Sequence, residues 1–152
     1  MIISMKRILS LLVSLAALVS CNGASDVPFS ELDNYFFKNG QVIPDNPKID
    51  TEEAFSSLFG MASFMGGDGK PTPIDFGKEF VIAVVNPVTG FQTDLEPESL
   101  HMESGELVFT YNERVGESQT WSMQPILLIK VDRKYETENI RLCRMLQETP
   151  EE

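Results

Sequence analysis

Residues 79–91 read Glu79-Phe80-Val81-Ile82-Ala83-Val84-Val85-Asn86-Pro87-Val88-Thr89-Gly90-Phe91, and they couple the most strand-like run of the chain to its sharpest turn. Six consecutive apolar residues, 80 to 85, leave no polar face. Such a run predicts a strand covered on both sides. Asn86, Pro87 and Gly90 then break it with residues suited to a tight loop. A second run of the same kind, Ile126-Leu127-Leu128-Ile129, follows Pro125, which predicts a bulge or bend. Two strands apolar on both faces need cover on both sides, more than one helix can supply. The expectation is therefore an α+β domain, mainly antiparallel, built as a curved sheet, β-sandwich or partly open barrel with one N-terminal helix packed on it.

That helix is predicted over about 51–64. Asp50-Thr51-Glu52-Glu53 has the form of a capped start, with Asp50 as cap and Glu53 reaching back. Phe55, Leu58, Phe59 and Ala62 then fall at i, i+3, i+4 and i+7, a single apolar stripe that fits the core against a sheet. Upstream, Tyr35-Phe36-Phe37 predicts a short strand ended by Lys38-Asn39-Gly40. Met65-Gly66-Gly67 ends the helix and opens a loop to Gly77. Gly69-Lys70 inside it is no phosphate loop, since Phe64 stands where its first glycine is required and Pro71 where Ser or Thr would hold magnesium.

The second half reads as β-structure: short polar strands over 91–95 and 99–103 around Pro97, at a sheet edge, then Leu107, Phe109 and Tyr111 alternating with polar or smaller residues. A polar connection over 112–118 leads to the 119–131 strand, and the 140–146 strand closes the domain. Cys143, between Leu142 and Arg144, is expected as a buried free thiol.

The N-terminus has another character. Basic Lys6-Arg7 precedes a 12-residue apolar run (8–19), too short for the roughly 20 residues that span a bilayer, so residues 1–20 read as a secretory signal. Leu18-Val19-Ser20-Cys21 resembles the lipobox of bacterial lipoproteins, and the resemblance implies a covalent lipid on Cys21 as the mature N-terminus. The alternative for Cys21 is a disulfide to Cys143 in an oxidising compartment. Residues 21–30 read as a tether, 31–147 as one globular domain and 148–152 as a disordered acidic tail. Lys6 and Arg7 are the signal's only charges, so the mature charge is 10 − 23 = −13. That excludes nucleic acid and electrostatic attachment to anionic lipid, leaving the lipid as the only membrane contact.

Catalytic material is sparse. His101 is the single histidine, no serine sits in a Gly-x-Ser-x-Gly elbow, and no Cys/His cluster offers a zinc site. No enzyme activity, metal or cofactor is expected beyond the lipid on Cys21. Binding has better material: Asn86, Pro87, Thr89, Gly90 and Phe91 on a rigid strand end, and Trp121 ahead of the second buried run.

Two resemblances rest on these residues. Strand, Pro-Val-Thr-Gly-Phe turn, charged hairpin and Gln124-Pro125 before a closing strand resemble the C-terminal domain of the protease-complex-subunit (PrcB) family over about 79–132, with one glycine where that family has two. Asn86-Pro87-Val88-Thr89-Gly90 also resembles the first loop of chagasin-type protease inhibitors, Asn-Pro-Thr-Thr-Gly, although their Gly-x-Gly-Gly and Arg-Pro-Trp loops are absent here. Both imply a protein-binding β-domain with a protease as partner. As a whole the chain is similar to small lipoproteins of Bacteroidetes, which implies an envelope location, and the scarcity of acid after Cys21 favours the periplasmic face. The competing expectations are a small-ligand or glycan carrier with a pocket lined by Phe55, Phe59 and Trp121, and a structural lipoprotein without a discrete site.

Overall fold

The computed structural model describes residues 24–62 and 69–147. The signal peptide, Cys21, the 148–152 tail and residues 63–68 of the glycine-rich loop lie outside the described residues. Strand β6 (Glu79–Val85) and strand β9 (Ile126–Asp132) are antiparallel neighbours, with Ile82 opposite Ile129. The two runs without a polar face thus form the centre of one sheet. Its edges are β2 (Phe29–Glu31) beside β9 and β4 (Lys48–Ile49) beside β6.

Alternate residues of this central sheet serve two different cores. Phe80, Ile82, Val84, Leu127, Ile129 and Val131 face a second sheet and pack on its Leu100, Leu107, Phe109 and Tyr111. That sheet has the order β1 (Ser25–Asp26), β7 (Thr89–Glu103), β8 (Glu106–Met123), β10 (Ile140–Gln147). Val81, Ala83 and Leu128 point the other way, onto Phe37, Ile49, Phe55 and Phe59. Helix α1 (Glu52–Leu58) and a two-stranded ladder of β3 (Tyr35–Phe37) and β5 (Phe59–Met61) cover this side. The chain is therefore an α+β sandwich of two four-stranded sheets, not closed into a barrel, with a third layer over one sheet.

Several boundaries differ from the sequence expectation. The helix ends at Leu58 rather than near residue 64, because Phe59–Met61 pairs antiparallel with Tyr35–Phe37. Phe55 and Phe59 still reach the core, stacked at 5.0 Å, so the stripe is right even where the element is not. Gly60 lets the Phe36 ring lie directly over it across the ladder, where a Cβ would push that ring aside. The cap is Thr51, whose Oγ1 accepts from the Ala54 amide at 3.2 Å, and not Asp50.

The tether reading of 21–30 is corrected from residue 25 onward. Ser25 and Asp26 pair with Met102 and His101, Val27 is buried and donates its amide to Leu100 O at 2.9 Å, and Phe29 meets Phe109 edge-on at 6.0 Å. Two apolar residues in a polar stretch suffice because each docks on a strand already formed by the rest of the chain. The two short polar strands around Pro97 are one 15-residue strand, β7, with register shifts near its start and just after Pro97. Pro97 lies where β7 has an open edge, since β1 covers only His101 and Met102. The polar connection expected over 112–118 belongs to the 18-residue β8. Strand β10 pairs parallel with β8 and is mostly exposed, leaving Cys143 free and half-buried instead of fully buried.

No helix among the described residues is long and apolar enough to cross a membrane.

Candidate functional site

The two long strands outrun the sandwich. Beyond Arg114, where the described part of β10 stops, β7 and β8 continue as a two-stranded arm with Thr93 opposite Val115, Phe91 opposite Ser118 and Thr89 opposite Met123. Between Phe91 and Thr89 the single residue Gly90 faces four residues of β8, 119 to 122, so Trp121 rides on a wide bulge. Gly116 and Glu117 likewise oppose only Gln92. Extra residues on one strand bend it and increase its twist.

The turn itself is anchored at its start. The Asn86 amide donates to Pro125 O at 2.9 Å, the Gln124 side-chain amide donates to Asn86 O at 3.2 Å, and Asn86 Nδ2 donates to Glu113 Oε1 at 2.8 Å. Thr89 Oγ1 accepts from the Phe91 amide at 3.2 Å, and Thr93 Oγ1 donates to Phe91 O at 3.1 Å. Backbone and side-chain bonds together fix the loop, so what it displays is displayed in one place.

It displays apolar surface. Phe91 is 50% exposed and Trp121 63% exposed, with Val88 and Val115 also open. Seven of the ten large apolar side chains exposed among the described residues lie on the turn, the arm or adjoining β10, where Leu142, Met145 and Leu146 are the others. Scattered exposed hydrophobics are ordinary; concentration in one region is the feature that marks contact surface.

Under the turn lies a cleft of about 310 Å³ lined by Asn86, Pro87, Val88, Thr89, Thr93, Glu113, Val115, Pro125 and Arg144. The buried polar residues among the described ones, Thr93, Asn112 and Glu113, all sit at this end of the sheet. Glu113 Oε2 makes no hydrogen bond and meets only Arg144 Nη1, at 3.3 Å. Asn112 Nδ2 donates to Glu98 at 2.8 Å while its Oδ1 lacks a partner. Burial pushes the neighbouring Tyr111 phenol above its ordinary value; Arg144 opposes that shift and Glu113 adds to it.

Of the expected binding residues, the structure brings Asn86, Pro87 and Thr89 into the cleft wall, and puts Gly90, Phe91 and Trp121 on the arm beyond it. Glu113 and Arg144 were not among the residues singled out. One signal pointed to Glu113: it continues the Leu107, Phe109, Tyr111 alternation onto the inward face, where an apolar residue belongs. Arg144 carried no local signal, because it reaches Glu113 only through the parallel register that sets Leu146 opposite it.

Compared with protein-family models, with curated proteins and with solved structures, the chain shows no match.

Proposed function

We propose that this chain is a lipid-anchored protein of a bacterial envelope, on its periplasmic face, whose non-catalytic β-domain binds a second protein through the 86–91 turn and Trp121. The observation that carries the reading is the concentration of exposed Val88, Phe91 and Trp121 around a turn held by hydrogen bonds to Pro125, Gln124 and Glu113. Rigid loops carrying aromatic anchors lose little entropy on binding and are where interface energy concentrates. A protease is the partner class that the turn's resemblances imply.

Capture from detergent-solubilised envelopes, comparing wild type with Thr89→Arg, tests the site: a partner lost with the variant is expected, and an unchanged set of partners would remove the turn from the interface. Mass spectrometry of the N-terminal peptide tests the anchor, which an unmodified Cys21 would rule out.

A second reading, a small-ligand carrier, has one observation in its favour. A groove of about 740 Å³ runs between α1, β5 and residues 70–77, with Tyr35, Phe55, Phe59 and Phe76 along it. It contains Phe55 and Phe59 as a ligand pocket would, but Trp121 lies elsewhere.

A further inference from the structure

The Glu113 carboxylate is built into the cleft wall in a way that the fold alone does not require. Its side chain is 9% exposed, and of its two oxygens only Oε1 is hydrogen-bonded, to Asn86 Nδ2. Removing a carboxylate from water is costly unless both oxygens are satisfied. Among the described residues the only charge on Oε2 is Arg144 Nη1, reaching in from edge strand β10 on a side chain that is 54% exposed. More than half of the Arg144 side chain stays in water, so its guanidinium can leave for solvent when another cation takes its place on Glu113. Pro87, Val88, Val115 and Pro125 line the same cleft, and they offer apolar cover to a methylene stem but nothing to a charge.

We infer that this cleft receives a basic side chain, lysine or arginine, of the partner protein, with Glu113 as its counter-ion. Arg144 holds the position in the free chain and swings out on binding. The inference rests on the proposed role of the turn in binding a protein and names the chemistry of the partner's anchor. The excess of 23 acidic over 12 basic residues points the same way, since an acidic domain attracts a basic partner over a long range. The cleft's volume of about 310 Å³ admits one long side chain, not a folded segment.

The probe is N-acetyl-lysine methylamide, with the norleucine counterpart, which has the stem without the ammonium, as control. Each is titrated into the isotope-labelled protein while the side-chain amide of Asn86 and the backbone amides of Thr89 and Thr93 are followed by NMR. A saturable shift with the lysine probe and none with the control is expected. Arg144→Ala removes the internal competitor and should tighten the lysine probe about fivefold, the factor that corresponds to about 1 kcal/mol for an exposed ion pair. Glu113→Gln should abolish binding.

Absence of a saturable shift would overturn the inference. So would weaker binding by Arg144→Ala, which would mean that Arg144 supports the site rather than competing for Glu113. The Arg144 variant lies on an exposed strand and carries the test even if Glu113→Gln fails to fold. A captured partner that depends on Thr89, yet is held equally by the Arg144 and Glu113 variants, would overturn the basic anchor and leave the turn as the interface. Lysine-probe binding with no Thr89-dependent partner would instead count against the proposed function.

Discussion

Replacing Lys48 by methionine tests the ion network that fastens β4 and helix α1 to the far end of β9. The Lys48 side chain is only 3% exposed, with its ammonium 2.7 Å from Glu138, 2.9 Å from Glu136 and 3.8 Å from Asp50. Glu136 also meets Arg133 at 3.0 Å, and Arg133 Nε donates to Phe76 O at 2.8 Å. The pair with Glu138 adds little, because that carboxylate is 83% exposed and screened. The bond to Glu136, which is partly shielded, is charge-assisted and worth about 1.5 kcal/mol. Methionine keeps the stem packed and spares the cost of burying an ammonium, which offsets about 0.5 kcal/mol. A loss of about 1 kcal/mol results, below the roughly 3–5 expected when a fully buried pair is broken, because the carboxylates left behind are wet. In urea denaturation that is a midpoint lowered by about 0.7 M at an m-value of about 1.5 kcal/mol/M.

The effect depends on pH in a definite direction. Hydrogen bonding to Lys48 outweighs burial and, with Arg133, holds the Glu136 carboxyl below its ordinary 4.5. Its contribution is therefore full above 4.5 and disappears as pH falls through the lower, folded value. For Lys48, burial opposes the charge, but the hydrogen bonds to Glu138 and Glu136 prevail and raise it above 10.5, so its contribution is full below 10.5 and lost as pH rises through the folded value. The gap between wild type and Lys48→Met should be widest at neutral pH and narrow at both ends. A variant as stable as wild type at neutral pH, or a gap unchanged through the carboxylate range, would mean that these ion pairs do not hold β4 in place.

Ile82→Ala and Leu128→Ala empty positions on opposite faces of the central sheet, both essentially unexposed, and each should cost about 2–5 kcal/mol by denaturation. A mild effect on one face only would mean that face is not a packed core. Ser104 and Gly105 join β7 to β8 with φ of 51° and 78°, so Ser104→Asn should raise stability by about 0.5 kcal/mol and Gly105→Ala lower it by about 1 kcal/mol in the same assay. Gly60→Ala should cost less than about 1 kcal/mol, because the Phe36 ring it displaces is half-exposed and can swing away; lost resonances of the β3–β5 ladder in NMR would show otherwise.

What could be read from the chain divides along physical lines. The runs at 80–85 and 126–129 declared their own burial, and burial on both faces demanded layers on both sides, which the structure supplies. The helix stripe declared which residues share a face, but a period cannot say where the backbone stops being helical; the partner strand Tyr35–Phe37 decides that for Phe59. The arm of β7 and β8 was read as loops and short strands because both its faces meet water, so no apolar alternation marks it. Strand β10 was legible as a strand over 140–146, but its parallel pairing with residues 107–114 is a long-range choice without local trace. Turn chemistry identified Asn86 to Thr89, whereas the ion pair beneath them exists only once β8 and β10 lie side by side.

The pairing of Ser25 and Asp26 with Met102 and His101 would also set which way a lipid-anchored molecule faces. Four peptide links separate Cys21 from Ser25, a reach of at most about 14 Å, so a lipid on Cys21 would hold the His101 end of β7 close to the bilayer. Phe91 is ten residues further along that strand, roughly 30 Å away. With that lipid in place β7 would act as a mast. It would lift the turn clear of the lipid headgroups, so the domain would engage a partner in the aqueous space rather than one lying in the membrane plane.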